Sequence, residues 1–179
     1  MNITIKDNFL KDEVLSEFLA TITDYNFPWF YQDRMVSYDS PEAREEQTDF
    51  PESLDFFFAH IFVAAGKSNS PYSHLLEKLL KPLGDIELIR AKLNATYRHT
   101  EPLNTGWHTD NNIEGATTAV LYLNDNNGST IFKNGVSSPS IANRFVEFDS
   151  NIEHTGTLHT DKDVGLRFVL NLNYIKKTS

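Results

Sequence analysis

The stretch "GLRFVLNLNY", residues 165–174, alternates apolar and polar side chains with a period of two. In an extended strand, residues i and i+2 share a face. Phe168, Leu170 and Leu172 then form one apolar face, and Arg167, Val169, Asn171 and Asn173 form the other. Two asparagines on an inward face are an odd choice for plain packing, because buried amides need hydrogen-bond partners. The strand is therefore expected to have core on one side and polar, site-forming groups on the other.

The same reading extends upstream. In "IELIRAKLNATY" (86–97), Ile89, Ala91 and Leu93 share one face while Arg90, Lys92 and Asn94 share the other. Between the two lie "GWHTD", "TTAVLYLN", "STIFK" and "RFVEFDS", separated by turn signals such as "NDNNG" and "KNG". Ahead of this run, "ITIKDNFL" reads as a short strand, and "KDEVLSEFLATI" as a helix with Val14, Leu15, Phe18 and Leu19 on one face. "LDFFFAHIFV" reads as a strand. "SPYSHLLEKLLKPLG" reads as a helix with Ser70 as N-cap, Pro71 at the first position and Gly84 just past the end. Helices first and strands afterwards predict a mainly β fold, with a closed or two-sheet antiparallel core buttressed by N-terminal helices.

Composition narrows the function. The chain has 179 residues, enough for a single domain with a sizeable core. Thirteen phenylalanines favour a strand-rich sandwich or barrel. A net charge of −9 disfavours binding nucleic acid through a basic face. Without cysteine there can be no disulfide, thiolate metal site or cysteine nucleophile. No apolar run approaches a membrane span, and "MNITIKDNFLKDEV" does not read as a signal peptide. A cytoplasmic protein is the expectation.

The chemistry-bearing residues lie in the strand-rich half. "GWHTDNN" (106–112) puts His108 and Asp110 two apart, so that in a strand both face one cation; the alternative is a solvated polar pair at a strand end. "FDSNIEHTG" adds His154 just after a strand, with His159 in "TLHTDKD" as its rival for third ligand. His60, His74 and His99 have no carboxylate at ligand spacing. Two histidines and one carboxylate make the facial triad that holds non-haem iron(II) and leaves positions open for other ligands. Arg167 completes the set, since a planar, permanently charged guanidinium can clamp the far end of a dicarboxylate whose near end chelates the metal.

This order of His-X-Asp, then His, then Arg on the last strand resembles the iron(II)- and 2-oxoglutarate-dependent dioxygenases, in their prolyl 4-hydroxylase-like branch. It is similar to small uncharacterised oxygenases of marine bacteriophages and bacteria, with "LYLNDNNG", "NRFVEFDSNIEHTGT" and "RFVLNLNY" carrying the likeness. The resemblance implies a double-stranded β-helix (jelly-roll) catalytic core over 86–176, with 1–85 as helical and strand support. It implies His108, Asp110 and His154 as metal ligands, and Arg167 on the distal carboxylate of 2-oxoglutarate. Tyr122 in "AVLYLN" matches a tyrosine that hydrogen-bonds that carboxylate in the prolyl hydroxylases. Where the family offers a further tyrosine this chain has Asn94, leaving open whether Asn94 or Tyr97 does that work. Iron(II), 2-oxoglutarate and dioxygen are the implied cofactors, with ascorbate as a stimulant.

The implied reaction is hydroxylation of an unactivated C–H bond with release of succinate and CO2. A protein or peptide side chain is the first-named substrate, proline foremost, and a free amino acid or small metabolite the second. The rival class is a non-catalytic cupin-like module that holds a ligand without turnover. Substrate contacts are expected from the polar strand faces, at Arg90, Lys92, Asn171 and Asn173. More are expected from the polar, aromatic-studded segment 28–53, a candidate lid, through Trp29, Tyr31 and Tyr38.

Overall fold

The computed structural model of the chain describes residues 2–36, 51 and 54–177. Its described elements run β1 (Ile3–Lys6), α1 (Asp12–Ile22), β2 (Phe30–Gln32), β3 (Phe57–Ala64), β4 (Lys67–Ser68), α2 (Leu76–Leu80), β5 (Ile86–Tyr97), β6 (Ala116–Tyr122), β7 (Ser129–Phe132), β8 (Ser137–Pro139), β9 (Phe145–Asp149), β10 (His154–Gly156) and β11 (Leu166–Lys176). The alternating strand β11 lies in mid-sheet. It pairs antiparallel with β5 on one side and β6 on the other. The large sheet has the order β1-β9-β6-β11-β5-β3-β2, with β4 beside β3. A smaller sheet, β10-β7-β8, faces part of it. The fold is mainly β, a double-stranded β-helix with helices on its outer side.

The two faces of β11 and β5 bury different things. Leu170 and Leu172, with Ala91 and Leu93, pack against Phe18 and Ile22 of α1 and Leu76 and Leu79 of α2. This is the helix-covered core that the apolar alternation anticipates. On the other face Val169 joins Val120, Tyr122, Phe132, Val146, Phe148 and Ile152 between the two sheets. That second core is small, because the rest of the inter-sheet space is a polar cavity.

Several elements depart from the sequence reading. Residues 71–83 form a 3-10 turn (Pro71–Leu75), the five-residue α2 and a second 3-10 turn (Lys81–Leu83) rather than one helix. Pro82 explains the stop, since it has no N–H to donate and its ring clashes with the preceding turn. The start reads as expected: the Ser70 hydroxyl accepts from Tyr72 N at 3.0 Å, with Pro71 at the first position. "GWHTD" forms no continuous strand; only His108 makes a bridge, to His154. β2, β8 and β10 are three residues each and carry too little periodic pattern to be seen.

The N-terminal segment is tied to the sheet by Asn143. Its side-chain oxygen accepts from Leu10 N and its amide donates to Leu10 O, both at 2.8 Å, while Phe9 stacks on Phe145 at 4.0 Å. Asn143 is buried and has φ of 63°, a left-handed conformation that asparagine tolerates better than most residues. Asn143→Ala strands two buried backbone groups and should lower unfolding stability by about 2–4 kcal/mol, read from denaturant melts. A loss below about 0.5 kcal/mol, the range of ordinary surface changes, would show that this tie is not structural.

Candidate metal centre and cavity

His108 and His154 are a directly opposed backbone pair. Each donates its N–H to the other's carbonyl at 3.0 Å, the hydrogen-bonded pairing of antiparallel strands. That pairing sets the two imidazoles side by side, with ring centroids 4.5 Å apart. Asp110 follows two residues on, its N–H bonded to Ser150 O at 3.2 Å. One ligand atom from each of His108, Asp110 and His154 lies within 4.8 Å of the others, close enough to share a cation.

The surroundings fix which atoms those are. His108 Nδ1 lies 3.0 Å from Gly106 O, and His154 Nδ1 lies 2.9 Å from Ile152 O. A carbonyl can only accept, so each Nδ1 carries the proton and each Nε2 keeps a free lone pair. Burial, with His108 beside it, depresses the pKa of His154 and favours the neutral, metal-binding form. The carboxylate is oriented from below. Asn173 Nδ2 donates to Thr118 Oγ1 at 2.9 Å, and Thr118 Oγ1 donates to Asp110 Oδ2 at 2.7 Å. Such outer partners hold ligands in place at metal sites.

The three ligands open onto a cavity of about 390 Å³ floored by β6, β11 and β5. The strand register sets out its floor in rungs: Arg167 opposite Thr96, Val169 opposite Asn94, Asn171 opposite Lys92, and Asn173 opposite Arg90. Arg167 stands at one end, 6% exposed. Its Nε lies 3.4 Å from Ser140 Oγ, and its guanidinium carbon lies over the ring of Tyr122, 5.4 Å from the ring centre. No carboxylate pairs with it among the described residues. Burial pulls its pKa down, opposed by Tyr122. Asn94 Oδ1 and Thr96 Oγ1 are also buried at the cavity without a partner among the described residues. A cation and two polar atoms left in this state are groups that a ligand would satisfy.

Glycine makes room for that cation. A Cβ on Gly128 would lie 3.1 Å from Arg167 Cδ and 3.2 Å from Nε, and one on Gly156 would lie 3.9 Å from Nη1. Neither glycine stands out in the sequence, since nothing local marks a residue as passing beneath a distant arginine. Thr118, Thr96 and Thr130 are hidden for the same reason: each reads as an ordinary strand threonine.

Other candidates sit elsewhere. Tyr122 is fully buried, its hydroxyl lying 2.8 Å from Thr130 Oγ1 and 3.1 Å from Ser138 O, so Thr130 rather than Tyr122 meets the cavity. Tyr97 is on the opposite face from Asn94, as an odd separation along a strand requires. It donates to Leu54 O at 2.6 Å and stacks on Phe56. Asn94, by contrast, lines the cavity. Asn173 is buried behind Asp110 and supports the carboxylate instead of reaching a substrate. Trp29 packs on Phe168 behind the sheet and donates to Ile22 O at 3.0 Å. Tyr31 is 62% exposed on edge strand β2 and stacks on Phe56, away from the cavity. Tyr38 lies outside the described residues. Among the described residues of segment 28–53, Gln32, Arg34, Met35 and Val36 line the cavity. Arg90, Lys92 and Asn171 line the cavity wall. His159 is buried beside Arg167 and takes no part in the metal cluster.

The sequence matches no family model and no curated protein. Solved structures do match. An oxidoreductase of the 2OG-Fe(II) oxygenase family from Burkholderia pseudomallei aligns over 99% of this chain and 86% of its own, with a TM-score of 0.65 and 12% identity. The chain has the fold of the 2OG-Fe(II) oxygenases. A Trichoplax adhaerens prolyl hydroxylase, solved with a hypoxia inducible factor peptide fragment, aligns over 97% of this chain and 83% of its own, with a TM-score of 0.58 and 14% identity. The epimerase SnoN, in complex with Fe3+, alpha ketoglutarate and nogalamycin RO, aligns over 97% of this chain and 78% of its own, with a TM-score of 0.60 and 14% identity.

If Thr118 orients Asp110, Thr118→Val should weaken Mn(II) binding by about 10–100-fold, the usual effect of losing an outer partner, whereas Thr118→Ser should retain most of the affinity. Calorimetric titration checks both variants. Wild-type affinity in Thr118→Val would mean that the carboxylate is positioned by something else.

Proposed function

We propose that the protein is an iron(II)- and 2-oxoglutarate-dependent oxygenase that hydroxylates an unactivated C–H bond. One observation carries the reading: a buried guanidinium without a carboxylate partner among the described residues shares a cavity with a His-Asp-His cluster. Imidazole and carboxylate donors with open positions suit iron(II). The buried cation suits the remote carboxylate of a diacid chelated at its other end.

In this reading each residue of the chain has a defined task. His108 and His154 offer Nε2 to the metal because their Nδ1 protons are held by backbone carbonyls. Asp110 offers one charge, aligned by Thr118. Arg167 takes the distal carboxylate, with Thr96, Asn94 and Thr130 as polar neighbours along the cosubstrate. Bound iron and cosubstrate supply the oxidation: dioxygen is consumed, 2-oxoglutarate becomes succinate and CO2, and one C–H becomes C–OH. The cavity walls position the substrate, since oxidation of 2-oxoglutarate is useful only when a C–H bond is held at the reacting centre.

A protein or peptide side chain is the first substrate reading, and a free amino acid or other small molecule the second. The peptide in the Trichoplax structure and the nogalamycin in the SnoN structure illustrate both uses of the fold. A cupin-like binding module without turnover would have no need of Arg167, which counts against that alternative.

Succinate release, screened against peptides and free amino acids, is the direct test. His108→Ala should abolish it while the melting temperature stays close to wild type, because both hydrophobic cores form without the metal. Arg167→Lys should raise the 2-oxoglutarate requirement by about tenfold or more, since a point charge replaces a two-pronged donor. A wild-type requirement in Arg167→Lys would detach that residue from the cosubstrate.

A further inference from the structure

The charge around the cavity runs opposite to that of the chain. The protein carries a net charge of −9, yet among the described lining residues Asp110 is the one carboxylate, against Arg34, Arg90, Lys92 and Arg167. On the oxygenase reading, part of this balances. A divalent metal and Arg167 together offset Asp110 and a doubly charged diacid. Among the described residues, no second carboxylate lines the cavity to offset Arg90, Lys92 and the rim residue Arg34. Arg90 does approach Asp110, but at 3.8 Å and with a third of its side chain exposed.

Position sets the tip of Lys92 apart from the metal's support, while Arg90 stays beside Asp110. The Asp110 carboxylate is anchored over β6 and β11, through Thr118 and Asn173. Lys92 leans the other way, toward β3, where its ammonium lies 4.4 Å from the centre of the Phe57 ring. One strand, β5, therefore lies between β11, the nearer of the metal's two supports, and β3, toward which Lys92 points; Arg34 and Met35 line the same cavity. Asn171, paired with Lys92 across the β5–β11 ladder, adds an amide to the same wall. Keeping a lysine in this half-buried place is costly: burial, with Arg90 beside it and against the partial relief of Asp110, pulls its pKa down to about 8. An anion between the two cations would relieve that cost.

We propose that Arg90 and Lys92, with Asn171, form the subsite for a carboxylate of the substrate, so that the enzyme acts on a C–H bond near a negatively charged group. The inference rests on the oxygenase reading and extends it to the class of substrate. A cavity of about 390 Å³ that also holds the cosubstrate suits one carboxylate-bearing residue better than a nucleotide. The carboxylate can come from a free amino acid or from an acidic side chain within a peptide, and the same chemistry recognises both.

The test uses Mn(II)-loaded full-length protein with 2-oxoglutarate present. It follows the line-broadening that the bound Mn(II) imposes on the protons of small probes in solution NMR. The probes are matched pairs: N-acetylproline against N-acetylproline amide for a terminal carboxylate, and N-acetylglutamate amide against N-acetylglutamine amide for a side-chain one. At least one acid should be broadened at a concentration about tenfold below its amide, the effect of one charge-assisted contact. Lys92→Met and Arg90→Met should each erase most of that preference, and whichever acid responds identifies the source. The comparison in wild-type protein stands even if a variant fails to fold. Acids and amides that behave alike, a preference that survives both substitutions, or no broadening by any probe overturns the proposal. So does a loss of 2-oxoglutarate affinity in Lys92→Met as large as the loss for the acid, since the pair would then serve the cosubstrate. Metal-dependent 2-oxoglutarate binding, measured calorimetrically on the same samples, keeps the oxygenase reading separate; its absence overturns that reading and this one together.

Discussion

A guanidinium buried to 6% exposure, with no carboxylate beside it among the described residues, is the constraint around which the rest of this structure is arranged. An isolated charge taken out of water is expensive, and proteins keep one only where something compensates it. Among the described residues the compensation is slight: one long contact to a serine hydroxyl and the face of a tyrosine ring. The backbone gives way to make the position possible, with glycine at 128 where a methyl group would press on the arginine side chain. Arg167 opens the central strand of the large sheet, so its site is set by the same ladder that holds the core.

The metal cluster depends on a different device. His108 and His154 are far apart in the chain but meet as a single antiparallel pair, bonded to each other through both backbone groups. Each ring is then locked by a carbonyl of its own segment, and the carboxylate by a threonine from the sheet below. The cluster thus links the irregular segment around residue 108 and the small sheet to the large one. The polar face of β11 serves all of this at once: Arg167 at one end, Val169 in the small core, Asn171 on the wall, and Asn173 beneath Asp110.

What could be read in the sequence follows from the range of each interaction. Period-two alternation is local, so the apolar faces of β5 and β11 and the cavity-facing side of Arg90, Lys92 and Asn94 were legible. The amphipathic face of α1 was legible for the same reason. Three-residue strands such as β2, β8 and β10 offer no periodicity to read. The His108–Asp110 spacing suggested a shared face within one strand, whereas the structure joins His108 to His154 by a bridge and turns Asp110 toward Ser150. Long-range contacts were invisible: Thr118 under Asp110, Gly128 under Arg167, and Asn143 on the Leu10 backbone. Aromatic residues misled, because Trp29, Tyr31 and Tyr97 have enough apolar surface to be used in packing away from the cavity.

The account stands on one spatial claim, that Arg167 and the His-Asp-His cluster bracket a diacid of fixed length. Calorimetric titration of a homologous series of 2-oxo diacids into protein with and without Mn(II) measures this directly. The account predicts that 2-oxoglutarate binds more tightly than oxaloacetate, one carbon shorter, and 2-oxoadipate, one carbon longer, and that its binding requires the metal. Affinity that is the same without metal, or that does not distinguish the three lengths, would contradict it.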